Sequence, residues 1–272
     1  APDEDFWTTT FRKTIAAIGR TVVVCAPWDA PVPIGRAWCL YEIAMSMVSP
    51  TTSVEMLLLR KERTALELAL RKEQHRHFYT FEDVHARALS NVDAKRAECT
   101  VETDRKRIFA AIEAMDGGFH ELNVLVKELL RTWLVSISAD IVAAVPPPTP
   151  AHRGGGPPDV ASEVRAELLQ QGQLCHTVGV ILANRNDPRT GLGALEKGLA
   201  LRSAASGGHD VDAAHTRAKI GFVHHKLGND REAEQMLLSA LATLERLGEP
   251  AALAAADTLV DLGVVQLALG RP

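Results

Sequence analysis

One predicted helix carries the residues best placed for chemistry. In Gly35-Arg36-Ala37-Trp38-Cys39-Leu40-Tyr41-Glu42-Ile43, Trp38 stands one turn before Glu42 and shares its face. An indole beside a carboxylate shields it from water and raises its pKa. Such a carboxylate can move a proton, or stabilise positive charge developing on a neighbouring atom. The structural alternative makes Trp38, Cys39, Leu40 and Ile43 core residues, with Glu42 bonded to Arg36 or to the loop at Trp28. Cys39 lies among apolar helical residues with no histidine near it in sequence, the setting of an inert thiol. His224-His225 and His75-x-His77 lack the i, i+4 spacing that turns two helical side chains toward one point, so no metal site is expected.

The elements that would position Glu42 alternate between strand and helix. Phe6 to Ile18 reads as a helix stopped by Gly19. Thr21 to Cys25 (TVVVC) is an apolar run of the kind a strand covered on both faces shows. Pro27 to Pro33 is a loop, Gly35 to Val48 the helix with Glu42, and Val54 to Leu59 a second strand. Helices follow at Lys61 to His75 and Phe81 to Leu89, with a short third strand at Ser90 to Asp93. Val101 to Met115 is a helix broken by Gly117-Gly118, and Phe119 to about Ile141 is a long amphipathic helix. Strands alternating with helices imply a parallel α/β layer over residues 1–145.

Residues 146–158 form a linker. The stretch VPPPTPAHRGGGPP, starting at Val145, holds six prolines and three glycines in fourteen residues and cannot form helix or central strand. Beyond it, 159–272 repeats itself. VGVILANRND, IGFVHHKLGND and LGVVQLALGR align on Gly179, Gly221 and Gly263, each 42 residues apart. The register continues: Gly191 stands opposite Ala233, Leu195 opposite Leu237, and Gly198 opposite Ala240. Small residues recur where paired helices approach closely, and leucines where the pair buries its stripe. A fixed period in this range marks stacked helical units.

These offsets resemble the tetratricopeptide repeat in the longer form of kinesin light chains, two full copies and the first helix of a third. The resemblance implies an all-α solenoid with a protein-binding groove. Its lining falls six and three residues before the repeat glycine, and one, four and five after it. That places Gln173, His176 and Asn184 in the groove from the first copy. His215, Phe222, His225 and Lys226 come from the second, and Asp257 from the third.

The N-terminal pieces Thr9-Thr10-Phe11, Ile15 to Gly19, Val24 to Glu42, Asp104 to Glu113 and Gly117-Gly118 resemble the segment that precedes such repeats in algal and protist proteins. The W-C-L-x-E helix is also similar to TIR domains, whose sheet is flavodoxin-like. In TIR domains that cleave NAD the glutamate of this helix is catalytic, which maps to Glu42, with Trp38 beside it. The resemblance therefore implies a scaffold whose groove selects a protein or peptide partner and whose TIR-like module self-associates or signals. The alternative is an NAD glycohydrolase, with NAD a substrate and no cofactor otherwise expected. A third reading, a kinesin-type cargo adaptor, lacks the heptad coiled coil through which light chains join heavy chains.

Composition bounds these readings. The net charge is −4, without a long single-sign block, so no nucleic-acid partner is expected. Thr132 to Val145, the most apolar long stretch, is too short to span a bilayer and contains Asp140, so no membrane partner is expected. The four cysteines show no C-x-x-C pair, which fits a reducing, cytoplasmic setting. The acidic N-terminus is unlike a signal peptide. Both ends read as cut from a longer protein, with the sheet N-terminally short and the third repeat incomplete.

Overall fold

The computed structural model describes residues 10–72, 84–148, 158–185 and 187–271. The protein is mostly helical, with one small two-stranded parallel sheet in its N-terminal half. It divides into two compact units. Among the described residues, the first comprises 10–68 and 84–134, the second 69–72, 135–148, 158–185 and 187–271.

In the first unit, α1 (Phe11–Ile18) ends at Gly19, whose left-handed φ of 73° lets its N–H reach back to the carbonyl of Ile15. Residues 6–9 of the predicted helix lie outside the described residues. Strand β1 (Arg20–Cys25) leads through a 3-10 turn at Val32–Gly35 into α2 (Ala37–Val48), and β2 (Ser53–Leu58) returns parallel to β1. Leu40, Ile43 and Ala44 are fully buried, because α2 packs on both strands, on α1 and on α5 (Glu102–Glu113).

Two sequence expectations change here. β1 is covered on one face only: Val23 and Cys25 point inward, while Val22 and Val24 are 48% and 40% exposed. Ser90 to Asp93 is not a strand. Helix α4 (Val84–Ser90) is followed by a 3-10 turn at Ala94–Arg96. The reason is local. Asp93 Oδ1 accepts the N–H of Lys95 at 3.1 Å, and the Asn91 amide donates to the carbonyls of Arg87 (3.3 Å) and Asp29 (3.1 Å). Short polar side chains that bond nearby backbone in this way replace a ladder by a turn.

Helix α3 (Arg60–Lys72) covers all but the last three residues of the segment predicted from 61 to 75; 73–75 lie outside the described residues, as do 81–83 ahead of α4. Helix α6 (Gly118–Ala144) begins at the predicted Gly117-Gly118 break, where Gly117 has φ 70°. Of the linker, 146–148 are irregular and 149–157 lie outside the described residues.

The second unit is built of helices α7 (Pro158–Asn184), α8 (Pro188–Ser206), α9 (Val211–Lys226), α10 (Asp230–Leu247) and α11 (Ala252–Ala268). Each packs on the next, and α9 also touches α7 and α11. The starts are written in the sequence. Asp187 caps α8 by accepting the N–H of Thr190, with Pro188 at the first helical position, and Asp210 caps α9 through Ala213. Two of the three repeat glycines stand at close helix approaches, and Gly263 meets nothing within 4 Å. A Cβ on Gly179 would lie 2.9 Å from the Gly191 carbonyl oxygen, and one on Gly221 would lie 3.1 Å from that of Ala233. Ala183, Leu195, Ile220 and Val223 form one core cluster, and Ala218, Ala233, Leu237, Ala240, Leu262 and Val265 the next.

Candidate functional site

In the helical unit, three residues at one repeat position meet in one cleft. Gln173, His215 and Asp257 are 42 residues apart in succession, on α7, α9 and α11, and all three line a groove of roughly 800 Å³. His176 joins them. It is 2% exposed, its Nδ1 lies 3.1 Å from the Thr216 hydroxyl, and its ring stacks at a tilt 5.2 Å from His215. A volume of this size admits a short peptide segment or a small molecule.

Charge in the groove is mixed. Arg71, Lys72 and Arg202 supply cations, and Asp212 and Asp257 carboxylates. Arg71 is tethered to α7, 3.4 Å from the Gln170 amide oxygen and 3.7 Å from Glu167. Arg202 is the structural pivot. It donates to the Asp212 carbonyl at 2.6 Å, to the Thr216 hydroxyl and to Gln173, so one guanidinium from α8 fixes the facing sides of α7 and α9. Burial lowers its pKa, and the nearby Asp212 and Asp210 oppose that shift. A planar fork so fully engaged orders the wall of the groove.

Four other residues assigned to the groove by resemblance are not among those lining this cleft. Lys226 donates to the Ala183 carbonyl at 3.1 Å and to the Asn184 amide oxygen at 3.0 Å, and lies 5.0 Å over the Phe222 ring. Burial lowers its pKa. His225 Nδ1 lies 2.6 Å from Asp230 Oδ1, which holds the end of α9 to the start of α10. Asn184 and Phe222 thus both meet Lys226, and His225 meets the neighbouring helix.

Arg202 was the residue that sequence reasoning missed, and a signal existed. Counting 42 residues on from Arg202 reaches Leu244, which is fully buried. An arginine at a position where the next copy keeps a core leucine marks a buried charge with a defined task.

In the first unit, Glu42 and Trp38 lie on α2 as expected, outside two clefts lined by described residues. One cleft is lined by Arg12, Tyr41, Met45, Asp116 and Glu121 among others, a second by Arg12, Lys13, Met45 and Ser49; neither includes Glu42 or Trp38. Glu42 is half-buried, burial raises its pKa, and its carboxylate makes no hydrogen bond to a described residue. The loop is pinned by another residue: the Trp28 N–H donates to Glu62 at 2.9 Å, while Arg36 reaches Thr100 at 3.4 Å. Trp38 packs on Phe11 with ring centroids 5.6 Å apart. Burial, then the Glu42 charge, raises the Cys39 thiol pKa, the opposite of an activated nucleophile.

His75 and His77 lie outside the described residues. His224 sits 3.5 Å from the Asn229 amide. Among the described residues, one stretch, Glu249–Ala268, is long and apolar enough to cross a membrane by length and composition, and 28% of its apolar window is buried. No family model, curated protein or solved structure matches the chain.

Proposed function

We propose that the helical unit is a repeat scaffold of the tetratricopeptide type that holds an extended segment of a partner protein in the groove between α7, α9 and α11. The N-terminal α/β module then assembles or signals. The observation that supports this reading most is the convergence of Gln173, His215 and Asp257, one repeat position read three times into one cleft. The Gln173 amide, itself held by Arg202 and Thr177, stands in line with the His215 imidazole and the Asp257 carboxylate, polar groups at regular intervals of the kind that suit a peptide backbone rather than a single compact ligand.

Panning a random-peptide phage library on the immobilised full chain tests it. Selected peptides are expected to bind at least about tenfold more weakly to a His215→Ala/Asp257→Ala chain, by calorimetry. Both side chains are half-buried, and far-UV circular dichroism of the double variant checks that its fold is intact. Enriched peptides that bind the double variant unchanged, or no enrichment, would sink the reading.

A second reading, NAD cleavage through Glu42, has one support: a half-buried carboxylate with a raised pKa and no hydrogen bond to a described residue. Under it, the full chain releases nicotinamide from NAD, and Glu42→Gln lowers the rate by about 100-fold or more. Turnover that Glu42→Gln leaves untouched removes Glu42 from the chemistry.

A further inference from the structure

The cleft of the first unit that Tyr41 lines has more than an apolar floor. It encloses roughly 610 Å³ beside α1, α2, α5 and the turn into α6. Met45, Met115 and Leu125 supply apolar lining, and Tyr41 is only 5% exposed. The Phe11 ring stacks on that of Tyr41 with centroids 5.8 Å apart, which steadies the phenol. The Tyr41 hydroxyl makes no hydrogen bond with a described residue, and its oxygen is not sealed from solvent. A tyrosine this deeply buried ordinarily has a partner for its hydroxyl, because leaving one unmade costs free energy. Burial raises the Tyr41 pKa and the Arg12 charge opposes that rise, so the group is a neutral O–H donor with a guanidinium nearby.

Charge of both signs lines the same cleft. Arg12 comes from α1, Asp116 from the turn before α6, and Glu121 from the first turn of α6. Backbone bonds hold that turn: the Gly118 N–H donates to the Met115 carbonyl at 3.0 Å, and the Glu121 N–H to the Gly117 carbonyl at 3.2 Å. A Cβ on Gly117 would fall 2.6 Å from Glu121 Cβ, so the glycine lets the chain fold back this tightly on α6. None of the three charged side chains forms a hydrogen bond or ion pair with a described residue, although all line one cleft. A ligand of one sign would be attracted by one side of the cleft and repelled by the other. A ligand carrying both signs satisfies both.

We propose that this cleft binds a small zwitterion with an apolar body. Its carboxylate accepts from the Tyr41 hydroxyl and from Arg12, its ammonium donates to Asp116 and Glu121, and its apolar part lies on Met45, Met115 and Leu125. Apolar α-amino acids and short peptides with free ends share this chemistry. The site uses no residue of the groove in the helical unit, so either reading can fail alone.

Calorimetry on the full chain tests it. The probes are L-phenylalanine and L-phenylalanyl-L-leucine, with phenethylamine and 3-phenylpropanoate as analogues that carry one charge each. At least one zwitterion is expected to bind with a Kd below about 1 mM and about tenfold or more tighter than either analogue, and which one does so separates amino acid from peptide. Tyr41→Phe keeps the ring, so it is expected to leave the denaturation midpoint no lower while weakening that ligand about tenfold. Arg12→Gln and Asp116→Asn/Glu121→Gln change exposed positions. The first is expected to erase the preference over phenethylamine, the second the preference over 3-phenylpropanoate. No saturation by either zwitterion up to about 10 mM overturns the proposal, as does an analogue that binds equally well. Binding that Tyr41→Phe and Arg12→Gln leave unchanged overturns it too.

Discussion

Lys219→Met is expected to cost about 3 kcal/mol of folding stability, Asp261→Leu a similar amount, and the two together close to nothing. The residues stand 42 apart, at the repeat position held by fully buried Thr177 in the first copy. Their side chains are 6% and 11% exposed, and Lys219 Nζ lies 3.8 Å from Asp261 Oδ2, an ion pair too long for a hydrogen bond. That oxygen accepts no hydrogen bond from a described residue. Burial is the leading influence on both pKa values, lowering Lys219 to about 8 and raising Asp261, even though each partner opposes the shift of the other. Desolvation thus outweighs attraction at this site. Removing Lys219 leaves the Asp261 charge buried, removing Asp261 leaves buried Lys219 with the weaker attraction of Asp257, and removing both removes the desolvation as well. Midpoints of guanidinium denaturation for the four chains, followed by far-UV circular dichroism, check this. A double variant as unstable as the worse single one would show that the pair contributes net stability.

The same pair sets a pH dependence. Between about 8 and the usual 10.5, folded Lys219 binds fewer protons than unfolded Lys219, so its contribution to stability rises with pH across that window. Asp261 acts in the opposite direction: its folded pKa lies above 3.8, so stability falls as pH climbs from there through the folded value. The stability difference between wild type and the double variant is expected to carry both slopes.

Gly179→Ala and Gly263→Ala are expected to move stability in opposite directions, although they occupy the same repeat position. At Gly179 the added methyl meets Leu195 Cγ at 2.7 Å, the Gly191 carbonyl oxygen at 2.9 Å and the Leu195 nitrogen at 3.0 Å. The last two are backbone atoms, so α7 and α8 must part, at about 1–3 kcal/mol. The helix-propensity gain of about 1 kcal/mol offsets only part of that. Gly263 meets nothing within 4 Å, so only the gain remains, about 0.5–1 kcal/mol. Gly179→Val is expected to cost more than Gly179→Ala, since two further methyl groups press on the same backbone. Denaturation midpoints of the single variants decide it; a stabilised Gly179→Ala chain would mean the helices have slack.

Some of this was legible in the sequence because the physics is local or periodic. Gly19 and Gly117-Gly118 break helices by conformational preference alone. The 42-residue register needs only a comparison of the chain with itself, and it located the close approaches at Gly179 and Gly221. Gln173, His215 and Asp257, assigned to one groove by resemblance and spaced 42 residues apart, all line one cleft of the helical unit.

What escaped depends on neighbours distant in sequence. The apolar run at β1 read as a strand covered on both faces, because Val22 and Val24 look like Val23 until the elements around them are placed. That Lys226 engages both Asn184 and Phe222 likewise depends on how closely α7 and α9 approach.

By itself, then, the sequence located the helix breaks at Gly19 and Gly117-Gly118, the 42-residue spacing of Gly179, Gly221 and Gly263, and the close approaches at the first two of these. Tertiary structure alone decided which of those contacts is filled: Gly179 and Gly221 lie under leucines, while Gly263 lies open. It also turned Lys219 and Asp261, two ordinary charges on predicted helices, into a buried pair. Periodicity fixes which side of a helix a residue occupies, but burial depends on what packs against that side.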